Sequence, residues 1–448
     1  MSATILRSLP RPVTPPRPPR NPRLRIRSLW LLFAIAGCGK PGPGVTTISE
    51  TPADALPNAA DPALAADPAT GDLLLAFVGG SDSTGWKLYF SRSTDGGDQW
   101  STAVAVTADP HEVHPHGEAS PRLVAGPGGR IALVWPQNIT VEGRKWPANR
   151  MRFARSLDGG ASWSAPVTIN DDTTGALISH TFQGAAWVGD SGVVAAWLDE
   201  RAGGSHADHG GSDPHQHDET AESDATIYSV SSTDFGATWS SNRPLWGAVC
   251  PCCRVTLARG ADGGILAAWR KHYPGNVRDI VVSPVKDQAG DPVRVREDNW
   301  VYPGCPHSGP ALALDHTGAP HVAWYTGRPG GAGVYLTRGT GALAFDDEPL
   351  ALLTGDRLQT AHPAVVALED GGSVVAWDVN RKGGRQLSVA YVTGNERKAG
   401  TTEVEGTSGA TYPQLAPLQT GAAIMAWTQL AGDKQRLRLA RISLSSRK

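Results

Sequence analysis

Ser93-Thr94-Asp95-Gly96-Gly97-Asp98-Gln99-Trp100 returns as Ser156-Leu157-Asp158-Gly159-Gly160-Ala161-Ser162-Trp163 and again as Ser232-Thr233-Asp234-Phe235-Gly236-Ala237-Thr238-Trp239. The shared pattern is Ser-x-Asp-x-Gly-x-x-Trp, and each position has a structural job. The Asp side chain bonds nearby backbone amides and turns the chain back, the Gly takes a positive φ, and the Trp packs the turn against a neighbouring hairpin. A repeat of this kind fixes the architecture before any other feature is read.

Outward from these turns runs a second, longer repeat: a strand, a Gly-containing turn, and an apolar strand ending in an aromatic residue. Its copies are Pro62–Phe77, Pro121–Trp135, Gln183–Trp197, Val255–Trp269, Pro310–Trp324, Pro363–Trp377 and Pro413–Trp427. Continuous apolar runs such as Ile265-Leu266-Ala267-Ala268-Trp269 read as strands buried on both faces. A third strand follows each copy, as at Lys87–Ser91, Arg150–Ala154 and Thr226–Val230, and the Ser-x-Asp turn leads it into a fourth. Four antiparallel strands per unit make a propeller blade. With 15 Trp, 52 Gly and 35 Pro and no sustained helical periodicity, the class is all-β. The expectation is a seven-bladed β-propeller; six blades, the alternative, would require one unit to be discarded. The seventh unit ends with its third strand, Arg436–Leu444, so Val45-Thr46-Thr47-Ile48-Ser49 is expected to supply the missing outer strand and close the ring.

The repeated octapeptide resembles the Asp box of the bacterial-neuraminidase repeat, found in sialidases and other β-propellers. That resemblance implies, for a sialidase, six blades, three arginines gripping a substrate carboxylate, a Tyr nucleophile assisted by a Glu, an Asp acid/base, and an early Arg-Ile-Pro-type motif. No Arg-Ile-Pro follows Cys38, and seven units stand where six are implied. The boxes themselves (Asp95, Trp100, Asp158, Trp163, Asp234, Trp239) are scaffold and carry no catalytic information.

The N-terminus reads as an address. Seven arginines precede the short apolar run Leu29–Ala36, too short to span a bilayer, and Ile35-Ala36-Gly37-Cys38 resembles a bacterial lipobox. The expected organisation is a lipoprotein signal peptide at 1–37, a lipidated flexible tether at 38–44 with Cys38 as the acylated residue, and one propeller domain at 45–448. The location implied is the bacterial cell envelope, anchored to the membrane by lipid, on the periplasmic or extracellular side. A net charge of −2 gives no field for nucleic acid, which is excluded as a partner.

In a propeller, loops between blades share one face with loops joining second to third strands, and the Asp boxes lie on the other. Asp61, Glu118, His180, Cys253, His307, His362 and Tyr412 each come just before an inner strand and are expected to crowd the axial mouth. Two of these loops are chemically distinctive: Cys250-Pro251-Cys252-Cys253-Arg254 and Gly304-Cys305-Pro306-His307. A third carries His111, His114, His116 and Glu118, and the loop 205–219 holds four histidines.

With Cys38 acylated, four cysteines remain, and two readings stay open. One is disulfides between neighbouring loops, as befits an even number of cysteines outside the cytoplasm. The other is a soft-metal site for copper or zinc, with Cys250, Cys252, Cys253 and Cys305 joined by His180, His307 or His362. Glu118, Arg254, Arg201, Arg328 and Tyr412 are expected to face a ligand in the mouth, a glycan or a protein. The leading function is a binding or assembly module built on this mouth; the alternative is a glycoside hydrolase of the exo-α-sialidase type.

Overall fold

The computed structural model describes residues 42–143, 146–172, 177–201, 225–355, 358–359, 361–381, 384–393, 399–419 and 422–444. The expected signal peptide, Cys38 and most of the expected tether lie outside them, as does the His-rich loop. The strands form seven separate four-stranded antiparallel sheets, the blades of a propeller. Their inner strands are Ala59–Ala66, Arg122–Gly126, His180–Val188, Thr256–Arg259, Ala311–Leu314, Pro363–Ala367 and Ala410–Pro417, numbered here as blades 1 to 7.

The aromatic residue closing each second strand is what the blades are stacked around. Phe77, Trp135, Trp197, Trp269, Trp324 and Trp377 are wholly buried, and Trp427 nearly so. Each core cluster joins residues of adjacent blades, as when Trp377 packs with Ala323 and Val334, so no blade buries its own apolar faces alone. The seventh sheet is completed by Gly44–Ile48, which pairs along Lys434–Ser443 from Gly44 opposite Ser443 to Ile48 opposite Leu439. The N-terminal strand therefore closes the ring.

The three Ser-x-Asp-x-Gly turns share one bonding pattern. Ser93 Oγ donates to Asp95 Oδ1 at 2.8 Å, and the same atom accepts from Gly97 N at 2.8 Å. Asp95 Oδ1 also accepts from Gln99 N at 2.9 Å. Ser156/Asp158/Gly160 and Ser232/Asp234/Gly236 repeat this within 0.1 Å. The structure adds that each of these turns docks on the preceding blade. Trp163 meets Phe90 of blade 1 edge-on at 5.4 Å, and Trp239 meets Phe153 of blade 2 at 4.8 Å. Across the ring closure, Arg441 of blade 7 donates to Gly96 O at 2.8 Å.

Candidate functional site

The inner strands of blades 1, 3 and 7 begin with a register break, between Ala60 and Ala63, Thr181 and Gly184, and Thr411 and Gln414. At each break one residue takes a positive φ without being glycine: Asp61 (52°), Phe182 (58°) and Tyr412 (53°). His307, ahead of the inner strand of blade 5, does the same at 46°. Such backbone is strained for an L-residue and persists where the surroundings over-determine it. Here Tyr412 lies against Gly117 and His362, and Phe182 meets the rings of His116 and His307.

Every blade lines the axial channel, with Ala63, Arg122, Gly184, Arg254, Leu312, Val365 and Gln414 among its walls. Glu118 sits above it in a single 3-10 turn, Gly117–Ala119, capped by His116, whose Nδ1 accepts from Ala119 N at 3.2 Å. The turn holds Gly117 because the Tyr412 ring occupies the space a Cβ would need. Glu118 is fully buried and both its carboxylate oxygens are bonded: Oε2 lies 2.6 Å from Arg254 Nη1, and Oε1 accepts from the amides of Arg254 and Gly309. Burial pushes its pKa up, but Arg254, the His362 field and the two amides together hold it below the ordinary value. Arg254 Nη2 continues to Pro363 O at 2.7 Å, so one guanidinium and one carboxylate tie together the mouths of blades 2, 4, 5 and 6.

Around this pair stand three further groups. Asp61 is buried and accepts from His116 N; its pKa is pushed up to about 6, chiefly by burial. Arg122 donates to Gln183 O at 2.8 Å and Ser120 Oγ at 3.0 Å, while its buried Nη2 has no partner. Burial, with Arg254 nearby, lowers its pKa to about 10. On the far side, His362 Nδ1 is 2.8 Å from Asp378 Oδ2, which also accepts from Tyr412 N at 2.9 Å. The rings of His362 and Tyr412 stack with centroids 3.9 Å apart. Burial, then the charges of Glu118 and Asp378, push the Tyr412 phenol well above its usual range.

The cysteines gather at the rim between blades 4 and 5. The segment is pinned by Cys250 N donating to Arg270 O at 2.9 Å and by Val249 bridging to Lys271. Cys250 Sγ then lies 3.9 Å from Cys252 Sγ and 3.4 Å from Cys253 Sγ, and Arg278 Nη1 donates to it at 3.1 Å. Two groups have their donor atoms within 4.8 Å of one another: Cys250, Cys252 and Cys253, all buried, and Cys252, Cys305 and His307, which reaches solvent. None of these four cysteines is in a disulfide. Burial opposes ionisation at Cys250, yet hydrogen bonds from Cys252 and Cys253, with Arg278 beside it, hold its thiol well below the ordinary value. Burial instead pushes the Cys252 and Cys253 thiols up.

Of the residues read from sequence, Cys250, Cys252, Cys253, Cys305 and His307 meet at the rim, while Glu118, Arg254 and Tyr412 meet on the axis. His180 and His362 are expected among the metal ligands, and the structure places them elsewhere. His180 is held by Asn149 O at 2.7 Å and by Asp172 and Asp199, which turn its ring away from the cysteines. His362 is held by Asp378. Arg201 lies with His180, bonded to Asp171, Asp172 and Asp199, and Arg328 lies 4.0 Å from Asp298, so neither contributes to the axial group. Sequence reasoning passed over Arg278. The cue was available: an Arg-Asp pair opening the otherwise apolar run Val277–Val282 must find partners inside the blade.

No family model matches the chain, and no curated protein does. Solved structures do match in shape. A protein of unknown function from Dyadobacter fermentans DSM 18053 aligns over 90% of this chain and 100% of its own, at 13% identity and TM-score 0.50. A PL25 ulvan lyase, solved with -[GlcA(1-4)Rha3S]-, aligns over 88% and 96%, at 11% identity and TM-score 0.53. The GH93 α-L-arabinofuranosidase of Fusarium graminearum aligns over 90% and 98%, at 12% identity and TM-score 0.51. At such identities the likeness is one of fold alone.

Proposed function

We propose that this propeller is a soft-metal-binding module of the cell envelope, in which Cys250, Cys252, Cys253, Cys305 and His307 hold copper or zinc beside the axial mouth. The observation that supports it is the meeting of four thiols and an imidazole from two successive blades. Thiolate and imidazole donors favour copper and zinc over hard cations. Three sulfurs bound at about 2.3 Å to one ion lie about 4 Å apart; Cys250 Sγ has Cys252 Sγ at 3.9 Å and Cys253 Sγ closer, at 3.4 Å. A disulfide needs its sulfurs at about 2.05 Å, so either cysteine pairing would pull the cluster together further. The test is metal analysis of protein isolated from an oxidising compartment, with its thiols counted in parallel. Stoichiometric copper or zinc, lost in a Cys252→Ser, Cys253→Ser variant, is expected. Metal-free protein with no titratable thiol would instead indicate disulfides.

A second reading, an exo-α-sialidase, draws on the meeting of Tyr412, Glu118 and Arg254 on the axis. The bonding weighs against it. Three hydrogen bonds, one of them from the Arg254 guanidinium, already hold Glu118 and make it a weak proton acceptor, while burial and the charges of Glu118 and Asp378 disfavour the Tyr412 phenolate. A fluorogenic sialoside tests this, with no turnover expected from pH 4 to 8. Attachment to the membrane through acylated Cys38 belongs to the same proposal and is tested by loss of lipid labelling in Cys38→Ser.

A further inference from the structure

Resting on the metal-binding reading above, we propose that the rim site takes two copper(I) ions bridged by the Cys252 thiolate. The two groups of three donors have Cys252 in common, and the remaining donors divide cleanly: Cys250 and Cys253 on one side, Cys305 and His307 on the other. Three donors satisfy a copper(I) ion, and a thiolate sulfur has lone pairs enough to serve two ions at once. The four thiols do not form one group within the 4.8 Å that joins each set of three, so a single tetrahedral ion would have to draw the blades' loops together.

Charge points the same way. Arg270 is fully buried and Arg278 nearly so, and among the described residues neither has a carboxylate partner. Arg270 donates only to backbone oxygens, of Ser308, Arg278 and Tyr325; Arg278 donates to Tyr302 O and to Cys250 Sγ. Two buried guanidinium groups without anions are costly. Four thiolates and two monovalent ions beside them leave the cluster neutral, and every donor is then used. The gradient of exposure, from exposed His307 through half-buried Cys305 to buried Cys250 and Cys253, gives the ions an order of entry.

The experiment is an anaerobic titration of the reduced full chain with copper(I) against a chromophoric copper(I) chelator, followed by X-ray absorption at the copper edge. Two ions per chain are expected, in a shell dominated by sulfur and with a short copper–copper vector. Because His307 is exposed, His307→Ala should fold normally; it should keep one tightly held ion and weaken the other at least tenfold. Cys252→Ser should lose the copper–copper vector. One ion per wild-type chain, or both ions unaffected in His307→Ala, overturns the two-ion site and leaves metal binding standing. Failure of wild-type protein with four free thiols to take any copper overturns both.

Discussion

Glu118 Oε2 lies 2.6 Å from Arg254 Nη1, and this buried pair links the mouth of blade 2 to that of blade 4, past the blade between them. It behaves as a keystone: the same carboxylate takes the Gly309 amide and the same guanidinium takes Pro363 O. Removing one partner of a buried pair strands the other, at a cost of about 3–5 kcal/mol. Glu118→Ala is expected to lower stability by that order, and Arg254→Met added to it should cost less than its effect alone. A double-mutant cycle by denaturant unfolding reads the coupling.

Acid dependence follows from the same pair. Because the folded pKa of Glu118 is held below its unfolded value, its contribution is full above the unfolded value of 4.5 and is lost as pH falls through the folded one. Glu118→Gln should therefore flatten the acid limb of the stability curve. An unchanged limb would dissociate this pair from acid unfolding.

Asp61 has the opposite sign. Its folded pKa of about 6 lies above 3.8, so the unfolded chain releases the proton first and stability falls as pH rises between those values. Roughly two units correspond to about 3 kcal/mol. Asp61→Asn should match wild type at pH 3.5 and exceed its melting temperature at pH 7.5. The comparison needs only two melting curves.

Gly160 has φ +94° and faces the Phe90 ring of the preceding blade, where a Cβ would overlap the ring. Gly160→Ala should destabilise by about 1–3 kcal/mol through overpacking, with additional strain from the backbone angle. Phe90→Leu in the same chain should recover part of the loss, a result that thermal unfolding of the three variants decides.

Deleting Gly44–Ile48 removes the strand paired with Lys434–Ser443 and leaves an open sheet edge. Open edges recruit other chains. The shortened protein should elute as oligomers in light-scattering chromatography, while the full propeller remains a single species.

Most of the fold was legible because its determinants are local. Ser156, Asp158 and Gly160 bond within five residues, and an apolar run ending in Trp269 identifies its strand without knowledge of the neighbours. Seven such runs, with a seventh unit lacking one strand, were enough to anticipate the ring and its closure by Val45 to Ser49. The site was legible only in part. The cysteine loops of blades 4 and 5 follow one another, so their meeting could be read from blade order. His180 could not be excluded that way, because its capture by Asp172 and Asp199 depends on side-chain directions within its own blade.

The sequence by itself determined the all-β class, the number of blades, the strand that closes them and the loops that carry the chemistry, since turn chemistry and strand periodicity act over a few residues. Only the tertiary structure decided the pairings. Glu118 reaches Arg254 across 136 positions, and Arg278 turns inward to Cys250. Such contacts depend on ring curvature and on strained backbone at residues such as Asp61 and Tyr412, and neither leaves a periodic mark in the chain.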